Sequence, residues 1–96
     1  MISLKVLKFN AIWCSACLVM KKTYNRIFDE YKEFEVITYD YDIDENMVTK
    51  YNIGTTIPVL IFLNNNDEEI TRIIGEKSYD YIKNVIETEV KQNNEV

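Results

Sequence analysis

Two cysteines, the only ones in the chain, stand three residues apart in Trp13-Cys14-Ser15-Ala16-Cys17, at the end of an apolar run. This spacing constrains the local fold and the chemistry together. If the motif opens a helix, Cys14 lies at its N-terminal end, where unpaired N–H groups and the helix dipole favour a thiolate. Cys17, one turn further on and on nearly the same face, is close enough to bridge to it. A pair placed this way reads as a dithiol that opens and closes a disulfide, the first thiol attacking and the second resolving.

The flanking pattern supplies the strand and the helix this requires. Leu4 to Asn10 reads as a strand, with Leu4, Val6, Leu7 and Phe9 apolar enough to be largely buried. Beyond Cys17, Met20, Tyr24, Ile27, Phe28 and Tyr31 form a helical stripe, with Lys21, Lys22, Arg26 and Glu30 off it. Phe34 to Tyr39 is a second strand. Asp44 is a candidate N-cap for a short helix with Met47, Val48 and Tyr51 on one face, and Asn52 can end it in the left-handed conformation. Pro58 to Leu63 is a continuous apolar run, as in a buried strand that begins at its proline. Asn64-Asn65-Asn66-Asp67 is turn chemistry, and Glu69 to Ile74 pairs back as a hairpin. Ser78 caps a final helix with Tyr79, Ile82, Val85, Ile86 and Val90 on its apolar face, and 92–96 should fray.

The order β-α-β-α-β-β-α predicts an α/β fold: one four-stranded mixed sheet with helices on both faces and a right-handed first crossover. Cys14 then lies just beyond the carboxyl end of the first strand, where open α/β sheets place their sites. Ninety-six residues suffice for a single domain over 1–96 with one core.

Composition narrows the function classes. A net charge of -5 without a basic stripe argues against nucleic acid. No stretch approaches the roughly 20 apolar residues of a membrane span. Lys5 and Lys8 interrupt the first apolar positions, unlike a secretory signal, so the chain reads as cytoplasmic. In a reducing compartment two cysteines are catalytic or metal-binding more often than structural. Histidine is absent, so neither a zinc site nor a general base can use imidazole. Asp40-Tyr41-Asp42-Ile43-Asp44 imitates the start of a calcium loop. Glu45 stands where that loop needs glycine and Tyr51 where it needs a bidentate glutamate, so the reading fails. Those acids fit a strand end and the N-terminus of the next helix.

The arrangement resembles the thioredoxin family in a shorter form, without an extra N-terminal strand and helix. Trp13-Cys14-Ser15-Ala16-Cys17 is similar to the family's Trp-Cys-Gly-Pro-Cys, Thr56-Ile57-Pro58-Val59 to its cis-proline segment, and Gly75 to the glycine bordering its substrate groove. The resemblance implies Cys14 as nucleophile, Cys17 as resolving thiol and a cis Ile57–Pro58 bond. Ile57 would offer backbone hydrogen bonds to an extended substrate segment, with Trp13 as one groove wall and Gly75 as part of the other. No cofactor beyond the redox-active disulfide is implied. The implied partners are disulfide-containing proteins, with a flavin-dependent thioredoxin reductase or glutathione as electron donor. A monomer is the default for a small acidic domain.

Four departures from the family pattern bear on activity. Ser15-Ala16 lacks the proline expected at the helix start, and this dipeptide tunes the reduction potential within the family. Asn10 replaces a second groove tryptophan. Lys8 stands where thioredoxins bury an acid beneath the cysteines, and Thr38 where that acid has a lysine partner. An ammonium there would stabilise thiolate and make the couple more oxidising, unless Lys8 snorkels to solvent. The loop Gly54-Thr55-Thr56-Ile57 carries one extra residue. The residues leave other readings open: a glutathione-dependent, glutaredoxin-like reductase; a peptide-binding module without turnover; two inert core thiols; or four thiolates of a dimer sharing a metal. Glutaredoxins usually follow the fourth strand with Gly-Gly, whereas Glu76 follows Gly75 here.

Overall fold

Strand β1 (Leu4–Asn10) buries Leu4, Val6, Leu7 and Phe9 because it lies inside the sheet, with packed layers on both sides. In the computed structural model, which describes residues 4–93, it is followed by α1 (Ser15–Glu30), β2 (Phe34–Asp40), α2 (Glu45–Lys50), β3 (Val59–Leu63), β4 (Glu69–Ile74) and α3 (Tyr79–Val85). A π-helical segment, Ile86–Val90, and a last turn α4 (Lys91–Asn93) prolong α3.

The sheet order is β2-β1-β3-β4. β1 runs parallel to β2 and antiparallel to β3, and β3–β4 is a hairpin with an irregularity at Phe62/Leu63. Alternation sends the two faces of these strands into separate clusters. Leu4, Val6, Leu60 and Phe62 pack with Met20, Tyr24 and Ile27 of α1 and with Ile82, Val85, Ile86 and Val90. Leu7, Phe9, Val59, Ile61 and Leu63 pack with Ala11, Cys14, Ile53 and Ile57, against which Met47 and Val48 of α2 lean. Helices therefore cover both faces, as expected. Phe62 is completely buried, and truncating such a residue to alanine costs about 3–5 kcal/mol.

Three details differ from the sequence reading. β3 starts at Val59, because Pro58 has no N–H to give to the ladder. Gln92 and Asn93 remain helical: Val90 is buried in the α1–α3 cluster and anchors the last turn. The rest of the expected frayed tail, 94–96, lies outside the described residues. Asp44 occupies the N-cap of α2, yet its carboxylate does not cap the helix; it accepts the Asp40 N–H at 2.8 Å. Two other local readings hold. Asn52 has φ 53°, and the Ser78 hydroxyl accepts the Tyr81 N–H at 3.1 Å.

Candidate functional site

Cys14 is the N-cap residue of α1, with extended backbone (φ -87°, ψ 106°) and its carbonyl receiving the Leu18 N–H at 3.2 Å. Its sulfur takes the usual place of a capping oxygen and accepts the Cys17 N–H at 3.1 Å. In the reduced pair, that donor and the α1 dipole both favour negative charge on Cys14. The sulfurs of Cys14 and Cys17 are joined in a disulfide, with Cα atoms 5.2 Å apart. Cys14 is only 7% exposed, packed in the same cluster as Ile57.

The segment before β3 closes against this pair. The Ile57–Pro58 peptide is cis, the form that the family resemblance implies, and the Ile57 carbonyl oxygen lies 3.6 Å from Cys14 Sγ. Gly75 follows β4 at φ 84°, and its N–H donates to the Pro58 carbonyl at 2.8 Å. A Cβ at Gly75 would stand 3.6 Å from Thr56 Cγ2, an ordinary contact, so it is the backbone angle that calls for glycine. Trp13 is 61% exposed beside the disulfide. Its indole N–H donates to Asp42 Oδ2 at 2.7 Å, and its ring meets Tyr41 edge-on with centroids 6.1 Å apart. Ser15 and Ala16 form the first turn of α1, Ser15 exposed and Ala16 half-buried.

Lys8 shares the α1 side of β1 with Asn10 and is paired in register with Thr38 of β2. It is half-buried and lines, with Cys14, Cys17 and Asn10, the wall of a cleft of about 410 Å3. Its Nζ stands 5.8 Å from the Tyr24 ring centroid. Burial, and secondarily the charge of Lys21, push the Lys8 pKa down.

The sequence reading did not find Asp42. It lies 29 residues from its indole partner, and only the folded turn brings the two together. Asp40 Oδ1 accepts the N–H groups of Asp42 and Ile43 at 2.8 and 3.0 Å, so the calcium-loop mimic is a side-chain-wired turn that presents Asp42 to Trp13. Among the described residues no group of three or more His, Cys, Asp or Glu side chains is placed to hold a metal ion.

A helix-capping Cys-x-x-Cys disulfide, next to a cis-proline on a β2-β1-β3-β4 mixed sheet, defines a thioredoxin fold. The thioredoxin family model matches residues 2–88, and the chain belongs to that family. Thioredoxin H5 of Oryza sativa subsp. japonica is 36% identical over 70 residues, which is 73% of this chain and 50% of the relative. Thioredoxin H7 of Arabidopsis thaliana is 29% identical over 82 residues, 85% of this chain and 62% of the relative. The chain thus spans only about half to three-fifths of the length of these curated relatives. Two solved structures share the fold. One is thioredoxin-2, described as a component of malaria parasite protein secretion machinery (TM-score 0.80, 23% identity, covering 90% of this chain and 82% of that one). The other is thioredoxin NaTrxh of Nicotiana alata (TM-score 0.79, 22% identity, covering 91% and 74%).

Proposed function

We propose that the chain is a thiol–disulfide oxidoreductase acting on protein disulfides through Cys14 and Cys17. The observation that carries this reading is the Cys14 sulfur at the α1 N-cap, holding the Cys17 N–H at 3.1 Å. In the reduced protein the Cys14 thiolate attacks one sulfur of a substrate disulfide and displaces the other as a thiolate. The Cys17 thiolate then attacks Cys14 Sγ and releases the second substrate thiol. Two electrons pass to the substrate and the Cys14–Cys17 disulfide closes.

The substrate segment docks in extended form along Ile57 and Pro58, between Trp13 and the Gly75 turn. Ser15, Ala16 and Lys8 tune the pair. The half-buried Lys8 ammonium, on the same cleft wall as both cysteines, stabilises thiolate and holds the potential above about -270 mV, the value for thioredoxin. The electron donor is a flavin-dependent thioredoxin reductase or glutathione, no cofactor is needed beyond the disulfide, and the protein works in the cytoplasm as a monomeric single domain over 1–96. Among the described residues no helix is long and apolar enough to cross a membrane.

The test is a Cys17→Ser variant offered a disulfide-bonded protein substrate. A mixed disulfide through Cys14, resolved by mass spectrometry, is the expected result. Failure to trap, together with equal partner binding by the Cys14→Ser, Cys17→Ser double variant, would instead establish a binding module.

A further inference from the structure

The cleft beside the redox pair has a chemical character that disulfide exchange does not explain. Lys8 enters it from β1, and Lys21 from the turn of α1 that follows Cys17. Among the described residues neither ammonium makes an ion pair, and the charge of Lys21 adds to the burial that disfavours the Lys8 ammonium. Tyr24 lies on the same wall. It is 3% exposed, and its hydroxyl is buried with no hydrogen-bond partner. Burial pushes its pKa well up, so the group stays a neutral O–H donor. Asn10 and Asn25 add amide groups, and among the described residues no carboxylate lines the cleft. Asp29, which borders the adjoining hollow, already takes Lys32 at 3.1 Å.

Two ammonium groups outside any ion pair and an orphaned buried hydroxyl are a donor set without an anion to meet it. We propose that this cleft is an oxyanion subsite, in which Lys8, Lys21 and the Tyr24 hydroxyl hold a carboxylate of a small thiol or disulfide, or a free inorganic oxyanion. One oxyanion offsets the effect of the Lys21 charge on Lys8 and gives the Tyr24 O–H an acceptor. The volume of about 410 Å3 suits a small molecule. A polyanion is disfavoured by the chain's net charge of -5. Exposed Ile12 and Leu18 on the rim, with Trp13, offer apolar contact to the organic part of a carboxylate-bearing ligand. The inference rests on the redox reading only in placing that ligand's sulfur beside Cys14 and Cys17; oxyanion binding itself needs no turnover.

Trp13 is the only tryptophan and lines the cleft, so its fluorescence reports occupancy. The oxidised chain is titrated with sodium sulfate against sodium chloride at matched ionic strength. A saturable, sulfate-specific change is expected, weakened about tenfold in Lys8→Met and less in Lys21→Gln, where one of two charges is lost from the helix surface. Tyr24→Phe, which deletes only the hydroxyl, should also weaken it. Superimposed sulfate and chloride curves overturn the proposal. So does saturation unchanged in Lys21→Gln, an exposed site whose variant keeps the test valid if Lys8→Met misfolds.

A second arm compares 3,3′-dithiodipropionate with its diamide. Diacid binding tighter than sulfate, with the diamide silent, supports the subsite and assigns it to a small disulfide. Diacid no tighter than sulfate supports it as a site for free oxyanions. A diamide that binds as well as the diacid overturns it. A chain that binds sulfate but traps no mixed disulfide would refute the redox reading and leave this one standing.

Discussion

Gly54 and Gly75 are the only glycines in the chain, they flank the cis-proline on either side, and alanine at the two should have opposite effects. At Gly75 there is room for a methyl group, since the nearest atom, Thr56 Cγ2, would lie 3.6 Å from it. The cost comes from φ 84°, a region in which an L-residue loses about 1–2 kcal/mol. The backbone could escape by rotating to negative φ. It would then give up the Gly75 N–H bond to the Pro58 carbonyl at 2.8 Å, and leaving such a carbonyl without a partner costs about 1–3 kcal/mol. Whichever route is cheaper sets the loss, so Gly75→Ala should destabilise by about 1–2 kcal/mol. Gly54 has no positive φ, and a methyl group added there would meet nothing within 4 Å. Gly54→Ala should therefore stabilise by about 0.4–1 kcal/mol through the unfolded chain.

Urea unfolding separates these effects from a change in compactness, because a pure stability change moves the midpoint and leaves the slope alone. In a chain of this size each kcal/mol corresponds to about 4–8 °C in Tm. Gly75→Ala should therefore melt clearly below the parent and Gly54→Ala slightly above it. A Gly75→Ala variant within about 0.3 kcal/mol of the parent would show that this turn tolerates a side chain and that the backbone argument is wrong. A Gly75→Ala variant that unfolds with a changed slope would point to a rearranged groove edge instead of a strained one.

Two further perturbations probe the site. Lys8→Met should raise stability at neutral pH, because burial holds the Lys8 pKa below its ordinary 10.5 and the charged form is disfavoured in the folded protein. With fewer protons bound folded than unfolded, parent stability gains with pH between the lowered pKa and 10.5. The advantage of Lys8→Met over the parent should therefore shrink as pH rises through that window. Urea midpoints at neutral pH and about pH 9.5 test this below the unfolded tyrosine range; an advantage independent of pH would refute it. Asp42→Asn removes the charge from the acceptor of the Trp13 indole N–H, a bond at 2.7 Å on a largely exposed ring. It should cost no more than about 1 kcal/mol of stability, yet shift Trp13 fluorescence and slow disulfide trapping by Cys17→Ser. Unchanged emission would mean that the bond does not hold the ring in solution.

What could be read from the sequence, and what could not, divides by the range of the interaction. The α1 entry was legible because a capping position, a helical stripe and a preceding strand are each signalled within a few residues of Cys14. The cis-proline turn and Gly75 came from the family resemblance, which carries tertiary information that periodicity lacks. Asp44 shows the limit of local chemistry: its place at the α2 N-cap followed from residue type, but its carboxylate was recruited by the Asp40 N–H, in a turn built by three alternating acids. Those acids were legible only as a failed metal loop. Their use, presenting Asp42 to an indole 29 residues away, required the fold.

Tyr24 is the sharpest case. Helical spacing placed it on the buried stripe, where it is, but periodicity treats tyrosine as an apolar surface and does not track its hydroxyl. Alternation in β1 likewise puts Lys8 on the α1 side without saying what it meets there. Lys8 reads as a substitution for a buried acid, Lys21 as an ordinary solvent-facing residue and Tyr24 as core. Only their convergence on one cleft wall beside Cys17 turns three commonplace positions into a donor set lacking an anion. Two of these positions depart from ordinary packing, a half-buried ammonium without a carboxylate and a buried hydroxyl without a bond, and the exposed Lys21 adds a second positive charge beside them. Independent packing accidents would have no reason to share a sign or a location, and a ligand bringing negative charge and hydrogen-bond acceptors answers all three at once.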